Sequence, residues 1–555
     1  MKTRTGGELL IDCLRAQQTS IVFGVPGESY LAVLDALYSA KDDIKTVMCR
    51  QEGGAGFMAA SYGKLTGRPG ICFVTRGPGA TNASIGVHTA QQDSSPMILF
   101  VGQVARGDRG RDAFQEIDYT KFFADSAKWV VEINDANRIP EIVARAFSVA
   151  LSGRPGPVVV SLPEDMLTGA TSATPTPLVQ VNEPEIRIQT LDEVFDLLTD
   201  ANKPIVMVGG GGWTSEGRKN LKQFAKQNDL PVVVGFRCQD RMDNQSECFA
   251  GDAGVGVTEQ TKALFRDADL ILAVGLDLSE ITTNGYQLLD APVPQQKLIH
   301  VHASADEIGK VYQPTLGVQC GINTFVHAVA EHAPAKKKPW KNWTSDARKG
   351  YLQSLQCPKQ PGSVDMGEIM AWLRDHLPDD VIITNGAGNF SVWPNKFFQY
   401  GEHARLIAPE SGAMGYGVPA AIATKLTHPN RTVVCFAGDG DFQMNGQELA
   451  TAAQHNAQPI ILLLNNSMYG TIRMHQERNY PNRVHGTGIV NPDFGLLAQA
   501  YGFHFERVTQ TGHFESAFRN ALTSNSGALI ELEINAEAIT PRQTLSEVRK
   551  SGKQN

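Results

Sequence analysis

The chain has 555 residues, of which 42% are hydrophobic and 19% are charged, and its formal net charge at pH 7 is −8. At roughly 150 residues per domain, this length predicts three or four domains of ordinary globular composition. The acidic balance argues against nucleic-acid binding, which favours a basic face. The sequence has no run of 18 apolar residues, which argues against a membrane span.

The N-terminal stretch and the cysteines indicate a cytoplasmic protein. The first helix-like segment is amphipathic and does not read as a signal peptide, because Asp12 and Arg15 interrupt its apolar side. The eight cysteines are scattered, and no two of them form a CxxC pair. Such a spread is typical of buried thiols in a reducing compartment rather than of disulfides or a zinc site.

Apolar strands alternate with helices in three blocks, which predicts an α/β fold with a mostly parallel sheet in each block. The first block spans residues 1–167, the central block residues 185–332 and the third block residues 362–545. Residues 168–184, rich in Thr, Ala and Pro, and residues 333–361, with charges and prolines, are the predicted linkers. Sequence identity between the first and third blocks is too low to establish a duplication.

The most informative stretch lies in the third block, where Gly438-Asp439-Gly440 ends one apolar strand and Asn465-Asn466 ends the next. The carboxyl ends of strands are where open α/β sheets bind ligands. Asp and Asn oxygens suit Mg²⁺, which commonly accompanies phosphates, and the glycines allow the backbone to approach a phosphate closely. Each motif alone is a common turn or strand exit, but the spacing of the two favours a metal–diphosphate site.

Two further segments carry small residues at the start of a helix. The glycine-rich stretch from Pro409 to Ala421 predicts a tight turn with close backbone approach before a helix. By itself, this stretch indicates a ligand-binding turn and a simple close contact between a helix and a sheet equally well. In the first block, Glu52 begins a helix of small residues directly after a strand. A lone glutamate there most often complements the positive end of the helix dipole.

Taken together, these segments resemble the thiamine diphosphate-dependent enzymes, whose motif is a GDG followed, after a helix and a strand, by NN. The stretches Val74 to Val104, Asp112 to Glu116 and Gly153 to Asp165 resemble the acetolactate (acetohydroxyacid) synthase-like large subunits and extend the match over nearly the whole chain. The resemblance implies three domains with doubly wound, mostly parallel sheets. Pyrimidine-binding and diphosphate-binding domains would flank a Rossmann-like central domain.

The resemblance also implies roles for residues that match the family's motifs. Glu52, in an RQEGGA context, is the expected catalytic carboxylate, which shares a proton with the pyrimidine N1′ so that the thiazolium C2–H can be activated. Met414 is the expected wedge beneath the bent cofactor. Mg²⁺ is expected on the side chains of Asp439 and Asn466 and on the backbone carbonyl of Met468. The expected cofactor-binding residues are Gly412, Met414, Gly438, Asp439, Gly440, Asp441, Asn466, Met468, Tyr469 and Gly470, with Gly386 to Asn389 contributing to the diphosphate pocket.

Residues of the first block are expected at the substrate end of the site. By the same match Phe114 and Gln115 face the substrate, with Gln103 nearby. Glu28 and Arg76 are charged where the synthases are usually uncharged. They are either exposed loop charges that form an ion pair, or Arg76 holds a substrate carboxylate and Glu28 relays protons. Glu28 therefore joins the candidate catalytic residues.

The central block departs from the synthase pattern. The segment Ala273 to Tyr286 lacks the arginines that, in the family, bind FAD and the carboxylate of a second substrate, which argues against FAD and against the usual acceptor. The glycine run Gly209 to Gly212 is a weak alternative as a dinucleotide-binding loop. His475 stands where the family has a tryptophan that favours larger acceptors, and it is either a surface residue or an acid–base group.

The resemblance therefore implies an enzyme that decarboxylates a 2-oxo acid and joins the product to a second carbonyl, with thiamine diphosphate and Mg²⁺ as cofactors. The lack of a histidine pair beside Phe114 and Gln115 favours carboligation. The alternatives are a 2-oxo acid decarboxylase or aldehyde-lyase that forms no acetolactate, and a flavin-dependent oxidase. In the family, the active site lies between the first block of one subunit and the third block of another. We therefore expect a homodimer or homotetramer acting on small 2-oxo acids or aldehydes, with neither nucleic acid nor membrane as a partner.

Overall fold

A computed structural model describes residues 3–552, and three six-stranded parallel sheets, one in each predicted block, carry its fold. The predicted α/β class with parallel sheets is confirmed. Strands such as Leu270–Val274 and Ile460–Asn465 are near-continuous apolar runs, as expected where helices cover both faces of a sheet. No helix within residues 3–552 is both long enough and apolar enough to cross a bilayer.

The first block contains a six-stranded sheet with the order β3-β2-β4-β5-β7-β6 and a small antiparallel β1-β8 pair. Its elements are β1 (Arg4–Thr5), α1 (Gly6–Ala16), β2 (Ile21–Gly24), α2 (Leu31–Ser39), β3 (Lys45–Met48), α3 (Glu52–Thr66), β4 (Gly70–Val74), α4 (Pro78–Gln92), β5 (Met97–Gln103), α5 (Tyr119–Phe122), β6 (Trp129–Glu132), α6 (Ile139–Leu151), β7 (Pro157–Pro163), α7 (Glu164–Thr168) and β8 (Ala170–Thr171).

The central block has the strand order β11-β10-β9-β12-β13-β14, which is the order of the Rossmann fold. Its elements are α8 (Ile188–Asp200), β9 (Pro204–Val208), α9 (Ser215–Asn228), β10 (Val232–Val234), β11 (Phe249–Asp252), α10 (Glu259–Asp267), β12 (Leu270–Val274), β13 (Lys297–His302), β14 (Leu316–Gln319), α11 (Ile322–Glu331) and α12 (Lys341–Ser354).

The third block repeats the topology of the first, with the order β16-β15-β17-β18-β20-β19. In both sheets the second strand lies at the edge outside the first, and the last two strands exchange places. The elements are α13 (Met366–His376), β15 (Ile382–Asn385), β16 (Arg405–Ile407), α14 (Gly417–Thr427), β17 (Val433–Gly438), α15 (Asp439–Phe442), α16 (Leu449–His455), β18 (Ile460–Asn465), α17 (Gly470–Asn479), α18 (Phe494–Ala500), β19 (His504–Val508), α19 (Phe514–Thr523), β20 (Ala528–Glu533) and α20 (Leu545–Ser551).

The segment 333–361, predicted as a linker, contains the helix α12, which packs against β11 and α10 of the central block. The buried Trp340 anchors the start of this helix, because its indole N–H donates to the carbonyl of Asn228 at 3.0 Å. The sequence did not predict this helix, because the lysine run and Pro339 that precede it are typical of a linker. The domain boundaries themselves stay a prediction.

The first and third blocks share one hydrophobic core, in which α3 packs between α4 and α14. The small residues of α3 permit this close approach: a methyl group on Gly86 of α4 would lie 2.5 Å from the Cα of Gly56. Phe57 and Tyr416 meet across the α3–α14 contact with ring centroids 5.4 Å apart. The small-residue pattern that begins at Glu52 therefore reflects a helix buried on nearly every side.

A buried ion network joins all three blocks. Lys64, at the end of α3, contacts Asp93 at 3.2 Å and Glu410 at 3.3 Å, and it donates to the carbonyl of Ala408 at 2.6 Å. The side chains of Lys64 and Asp93 are each only 1% exposed. Burial alone would lower the pKa of Lys64, but the carboxylates of Asp93 and Glu410 raise it above its usual value.

A second buried cluster, centred on Asp240, brings the central block into the network, because the charge of Arg241 acts on Lys64 and Glu410. Arg241 contacts the Asp240 carboxylate at 2.6 Å and Arg405 of β16 contacts it at 2.7 Å. Arg241 also donates to the carbonyl of Gly210 at 3.1 Å. Burial opposes ionisation of Asp240, but the two guanidinium groups keep its pKa below the usual range. The network thus ties β16 to the loops that follow β9 and β10.

We predict that Lys64→Met lowers the free energy of unfolding by about 3–5 kcal/mol, because it leaves two carboxylates buried without their cation. Urea denaturation followed by circular dichroism measures the change. The matched control is Arg519→Met, which breaks an ion pair with Glu515 whose side chains are both more than half exposed and is expected to cost less than about 1 kcal/mol. A loss for Lys64→Met no larger than that of the control would contradict the prediction.

Candidate functional site

A cavity of about 240 Å³ lies at the carboxyl edge of the third sheet, where the chain leaves β15, β17 and β18. The strand order reverses between β15 and β17, and such switch points are where open α/β sheets bind ligands. Ten residues predicted to bind a cofactor all line this cavity: Gly412, Met414, Gly438, Asp439, Gly440, Asp441, Asn466, Met468, Tyr469 and Gly470. Of the predicted segment Gly386 to Asn389, all but Gly386 line it as well.

Asp439 and Asn466 offer hard oxygen ligands on one wall of the cavity. Asp439 is buried at the end of β17, and its Oδ2 accepts a hydrogen bond from Asn491 at 2.7 Å. Asn491 also donates to Asn465 at 2.9 Å, so one amide ties the two strand ends together. Burial raises the pKa of Asp439. A carboxylate, an amide oxygen and the nearby backbone carbonyl of Met468 fit Mg²⁺ in ligand chemistry.

Protein side chains alone do not form a closed metal site. No group of three or more His, Cys, Asp or Glu residues placed to hold a metal ion occurs between residues 3 and 552. A cation at Asp439 and Asn466 would therefore complete its coordination with oxygens of a ligand or of water, as Mg²⁺ commonly does with phosphates.

Asp441 positions the loop that carries Met414. Its Oδ1 accepts the backbone N–H of Gly415 at 2.9 Å and that of Ala387 at 3.0 Å. Gly412 and Gly415, on either side of Met414, adopt left-handed φ angles of 69° and 79° that glycine tolerates best. The loop therefore projects Met414 into the cavity wall from a fixed turn.

The second carboxylate oxygen of Asp441 fits a ligand in the cavity. Oδ2 is buried and has no hydrogen-bond partner among the described residues. Burial raises the pKa of Asp441 to about 7. An unpaired buried polar atom costs free energy, and a bound group that hydrogen-bonds to it would relieve this cost.

A C-terminal clamp, which the sequence reasoning missed, forms another wall of the cavity. Residues 538–541 line it, and α20 then packs Leu545 and Val548 against Met468 and Met474. Glu477 of α17 is buried and receives Arg549 of α20 at 2.8 Å. The Thr544 capping box and the apolar spacing that follows it were the available sequence signals for this helix.

Glu52, the predicted catalytic carboxylate, lies outside this cavity. It begins α3, where one of its carboxylate oxygens accepts a hydrogen bond from Asn82 at 2.9 Å. Every described residue that lines the cavity belongs to the third block. One chain therefore holds the predicted cofactor pocket and the predicted activator at separate places.

The other first-block candidates converge near Arg76, at the carboxyl edge of the first sheet. Arg76 pairs with Glu28 and with Glu164, both at 3.0 Å. The ion pair considered for Arg76 and Glu28 therefore forms, but Arg76 is buried and is not an exposed loop charge. Its Nε donates to the carbonyl of Phe114 at 3.2 Å, while the Phe114 ring is 73% exposed. Gln115 adopts a left-handed φ of 65°.

Neighbouring contacts join Glu52 and Gln115 to the same glycine turn. A methyl group on Gly77 would lie 2.8 Å from the Cβ of Gln115, and one on Gly79 would lie 3.5 Å from a carboxylate oxygen of Glu52. Gln103 is fully buried, and its side chain bonds to the backbone of Ile117 and Val104. It positions the loop and does not face solvent.

A cavity of about 460 Å³ lies beside Gly211 and Gly212, and residues of the first and central blocks both line it. Leu276 fills the space next to Gly209, where a methyl group would lie 2.3 Å from its Cδ2. The predictions about FAD and about a dinucleotide loop stay predictions. His475 is an exposed residue of α17. Partial desolvation of its ring, together with the charge of the nearby Arg478, lowers its pKa.

Comparison with known proteins gives matches along the whole chain. Residues 4–122 match the family model of the thiamine pyrophosphate enzyme N-terminal TPP binding domain, residues 191–329 that of the central domain, and residues 386–532 that of the C-terminal TPP binding domain. The chain is 30% identical to the acetolactate synthase isozyme 2 large subunit of Escherichia coli K12, over 95% of each protein.

Two other relatives show the same degree of similarity. The acetolactate synthase large subunit of Corynebacterium glutamicum is 31% identical over 95% of this chain and 86% of its own length. The acetolactate synthase of Mycobacterium bovis is 32% identical over 90% of this chain and 82% of its own. The similarity therefore spans all three blocks.

Proposed function

The chain belongs to the thiamine pyrophosphate enzymes and is acetolactate synthase-like, and from this premise we propose that it decarboxylates a 2-oxo acid and joins the product to a second carbonyl compound. The observation that carries the proposal is the cavity at the switch point of the third sheet, where Asp439 and Asn466 meet the Met414 loop. Bound thiamine diphosphate would supply the electron sink that allows a 2-oxo acid to lose CO₂.

We assign the diphosphate end of the site to the edge of β17 and β18. Asp439, Asn466 and the carbonyl of Met468 would hold Mg²⁺, and Gly438 and Gly440 would let the backbone approach the phosphates. This assignment is supported by the hydrogen bonds of Asn491, which fix the two strand ends at one distance.

We assign the reacting end of the site to Met414 and Glu52. Met414, held between two left-handed glycines on the cavity wall, would support the bound cofactor by apolar contact. Glu52 would hold a proton at the pyrimidine N1′, and the hydrogen bond from Asn82 at the start of α3 supports a carboxylate held in one position. Phe114, Gln115 and Glu28 would border the substrate.

Because Glu52 lies outside the cofactor cavity of its own chain, we propose that the active site forms between two chains in a homodimer or homotetramer. Exposed apolar side chains on both half-sites support this pairing. Phe114 and Leu31 of the first block are 73% and 61% exposed, and Ile472, on the rim of the cavity, is 55% exposed. Burial of such groups favours association.

The proposed activity predicts release of CO₂ when the purified protein, Mg²⁺ and thiamine diphosphate are given a panel of 2-oxo acids. Product analysis distinguishes the reactions, since an acyloin or 2-hydroxy-3-oxo acid product indicates carboligation and an aldehyde alone indicates simple decarboxylation. Glu52→Gln should lower kcat by about a hundredfold or more, because it removes the proton-holding group. Cofactor binding, measured by calorimetry, should change little. Failure to release CO₂ from any acid would overturn the proposal, and near-normal turnover by Glu52→Gln would overturn the role of Glu52.

The proposed metal site predicts that chelation of Mg²⁺ releases the cofactor. Treatment with EDTA followed by gel filtration should strip thiamine diphosphate from the wild-type protein, and re-addition of Mg²⁺ should restore binding. Asp439→Asn should weaken cofactor binding by about tenfold or more, because it removes the carboxylate ligand of the cation. Asp493→Asn, at the exposed cap of α18, is the control and should bind normally. Cofactor retention in EDTA would contradict the assignment.

The shared site predicts complementation between two inactive variants. A heterodimer of Glu52→Gln and Asp439→Asn chains carries one intact site, made from Glu52 of one chain and Asp439 of the other. Co-expression with two different tags and tandem purification should therefore restore about half of the wild-type activity. If both residues served one chain's own site, every site would carry a substitution and the heterodimer would stay inactive.

A further inference from the structure

A second cavity, of about 470 Å³, lies between the central and third blocks and adjoins the cofactor cavity. We call it the interblock cavity. The two cavities share wall residues on three segments, which include Asn389, Thr471 and Pro541. A molecule whose reacting end lies in the cofactor cavity therefore has a continuous space into which its other end extends.

Helix α17 lines both cavities and carries an arginine near its C-terminal end. Thr471 lines both, whereas Met474, His475 and Arg478 line only the interblock cavity. These four positions are spaced i, i+3, i+4 and i+7 and so lie on one helix face. The seven residue-to-residue steps from Thr471 to Arg478 span about 10 Å along the helix axis.

A second wall segment, residues 539–542, also leads from the cofactor cavity to an arginine. Ile539, Thr540 and Pro541 line both cavities, and the next residue, Arg542, lines only the interblock cavity. Arg542 is exposed, and its guanidinium donates to the carbonyl of Ser354 at 2.9 Å. Neither Arg478 nor Arg542 pairs with a carboxylate within the described part of the chain.

The remaining charges of the cavity do not neutralise these arginines. Asp252 is the acidic side chain among the described lining residues, and Lys396 already pairs with it. Arg237, on the deeper wall, donates to Ser391 at 3.2 Å and to the carbonyl of Pro409, while its buried Nε has no hydrogen-bond partner in the described residues. The cavity therefore has a surplus of positive charge.

Much of the lining of the interblock cavity is apolar. Aromatic and aliphatic side chains from both blocks form its walls, among them Phe236, Phe249, Tyr351, Phe398 and Met474. An apolar passage that ends at unpaired guanidinium groups suits a molecule with an apolar tail and a terminal anion, since arginine binds carboxylates and phosphates through paired hydrogen bonds.

We propose that the interblock cavity binds the tail of a 2-oxo acid that carries a second anionic group at its far end, with Arg478 and Arg542 as the residues that select it. This inference rests on the proposed function, because the reacting carbonyl must lie in the cofactor cavity. The span of about 10 Å along α17 favours a long tail over a short one.

The test measures kcat/KM for CO₂ release by the holoenzyme with matched acids that differ in the terminal group: 2-oxopentanoate and 2-oxoglutarate, 2-oxohexanoate and 2-oxoadipate, 2-oxooctanoate and 2-oxosuberate. We expect the dianionic acid to be favoured by about tenfold or more in the longest pair, and least in the shortest. Equal use of both acids at every length would overturn this inference while leaving the proposed function intact. Release of CO₂ from none of the acids would overturn both.

Substitution of the two arginines tests whether they provide the selection. Arg478→Gln combined with Arg542→Gln should reduce the preference for the dianionic acid to within about twofold, and Arg478→Lys should retain part of it. Both side chains are exposed, and comparison of unfolding midpoints checks that the double variant is folded. Arg266→Gln, whose side chain is 73% exposed on α10, is the control of equal charge change and should keep the full preference. An undiminished preference in the double variant would contradict the role of these arginines.

Discussion

The buried ion network around Lys64 and Asp240 is the constraint on which the arrangement of the three blocks depends. Lys64 reaches from α3 to Asp93 of the first block and Glu410 of the third, and Asp240 of the central block receives Arg405 of β16. Buried charges tolerate little displacement, because a separated partner leaves an uncompensated charge out of water. Glu410 belongs to the same glycine-rich stretch as Met414, so the network also fixes the root of the loop that shapes the cofactor cavity.

The two sheets of identical topology divide the chemistry between them. The third sheet carries Asp439, Asn466 and the glycine turns at its switch point, and the first block carries Glu52 beside the glycine turn of Arg76. Within a chain, the two blocks use their α3–α14 surface to build one core. Because that surface is buried between the two blocks, the two half-sites of one chain lie apart. We propose that association between chains completes the active site.

Much of the fold followed from the sequence, because parallel strands between covering helices give long apolar runs that are visible without a structure. The cofactor cavity was also predictable, since glycine turns and paired polar residues at strand ends are local signals. The ion pair between Glu477 and Arg549 was not predictable, because a buried pair between residues far apart in sequence leaves no local pattern. The helix α12 was obscured by its lysine-rich approach, and the interblock cavity arises from segments of two blocks whose meeting no motif encodes.

The docking of α20 has a kinetic consequence. Residues 538–541 wall the cofactor cavity, and the helix that follows them is fastened to α17 by Glu477, which also binds Arg473 at 2.9 Å. A ligand that contacts residues 538–541 would lose these contacts if the segment opened. Local opening of a terminal helix is slower the more contacts it must break. The packing of α20 would then contribute to the residence time of the cofactor, in addition to the contacts of the cofactor itself.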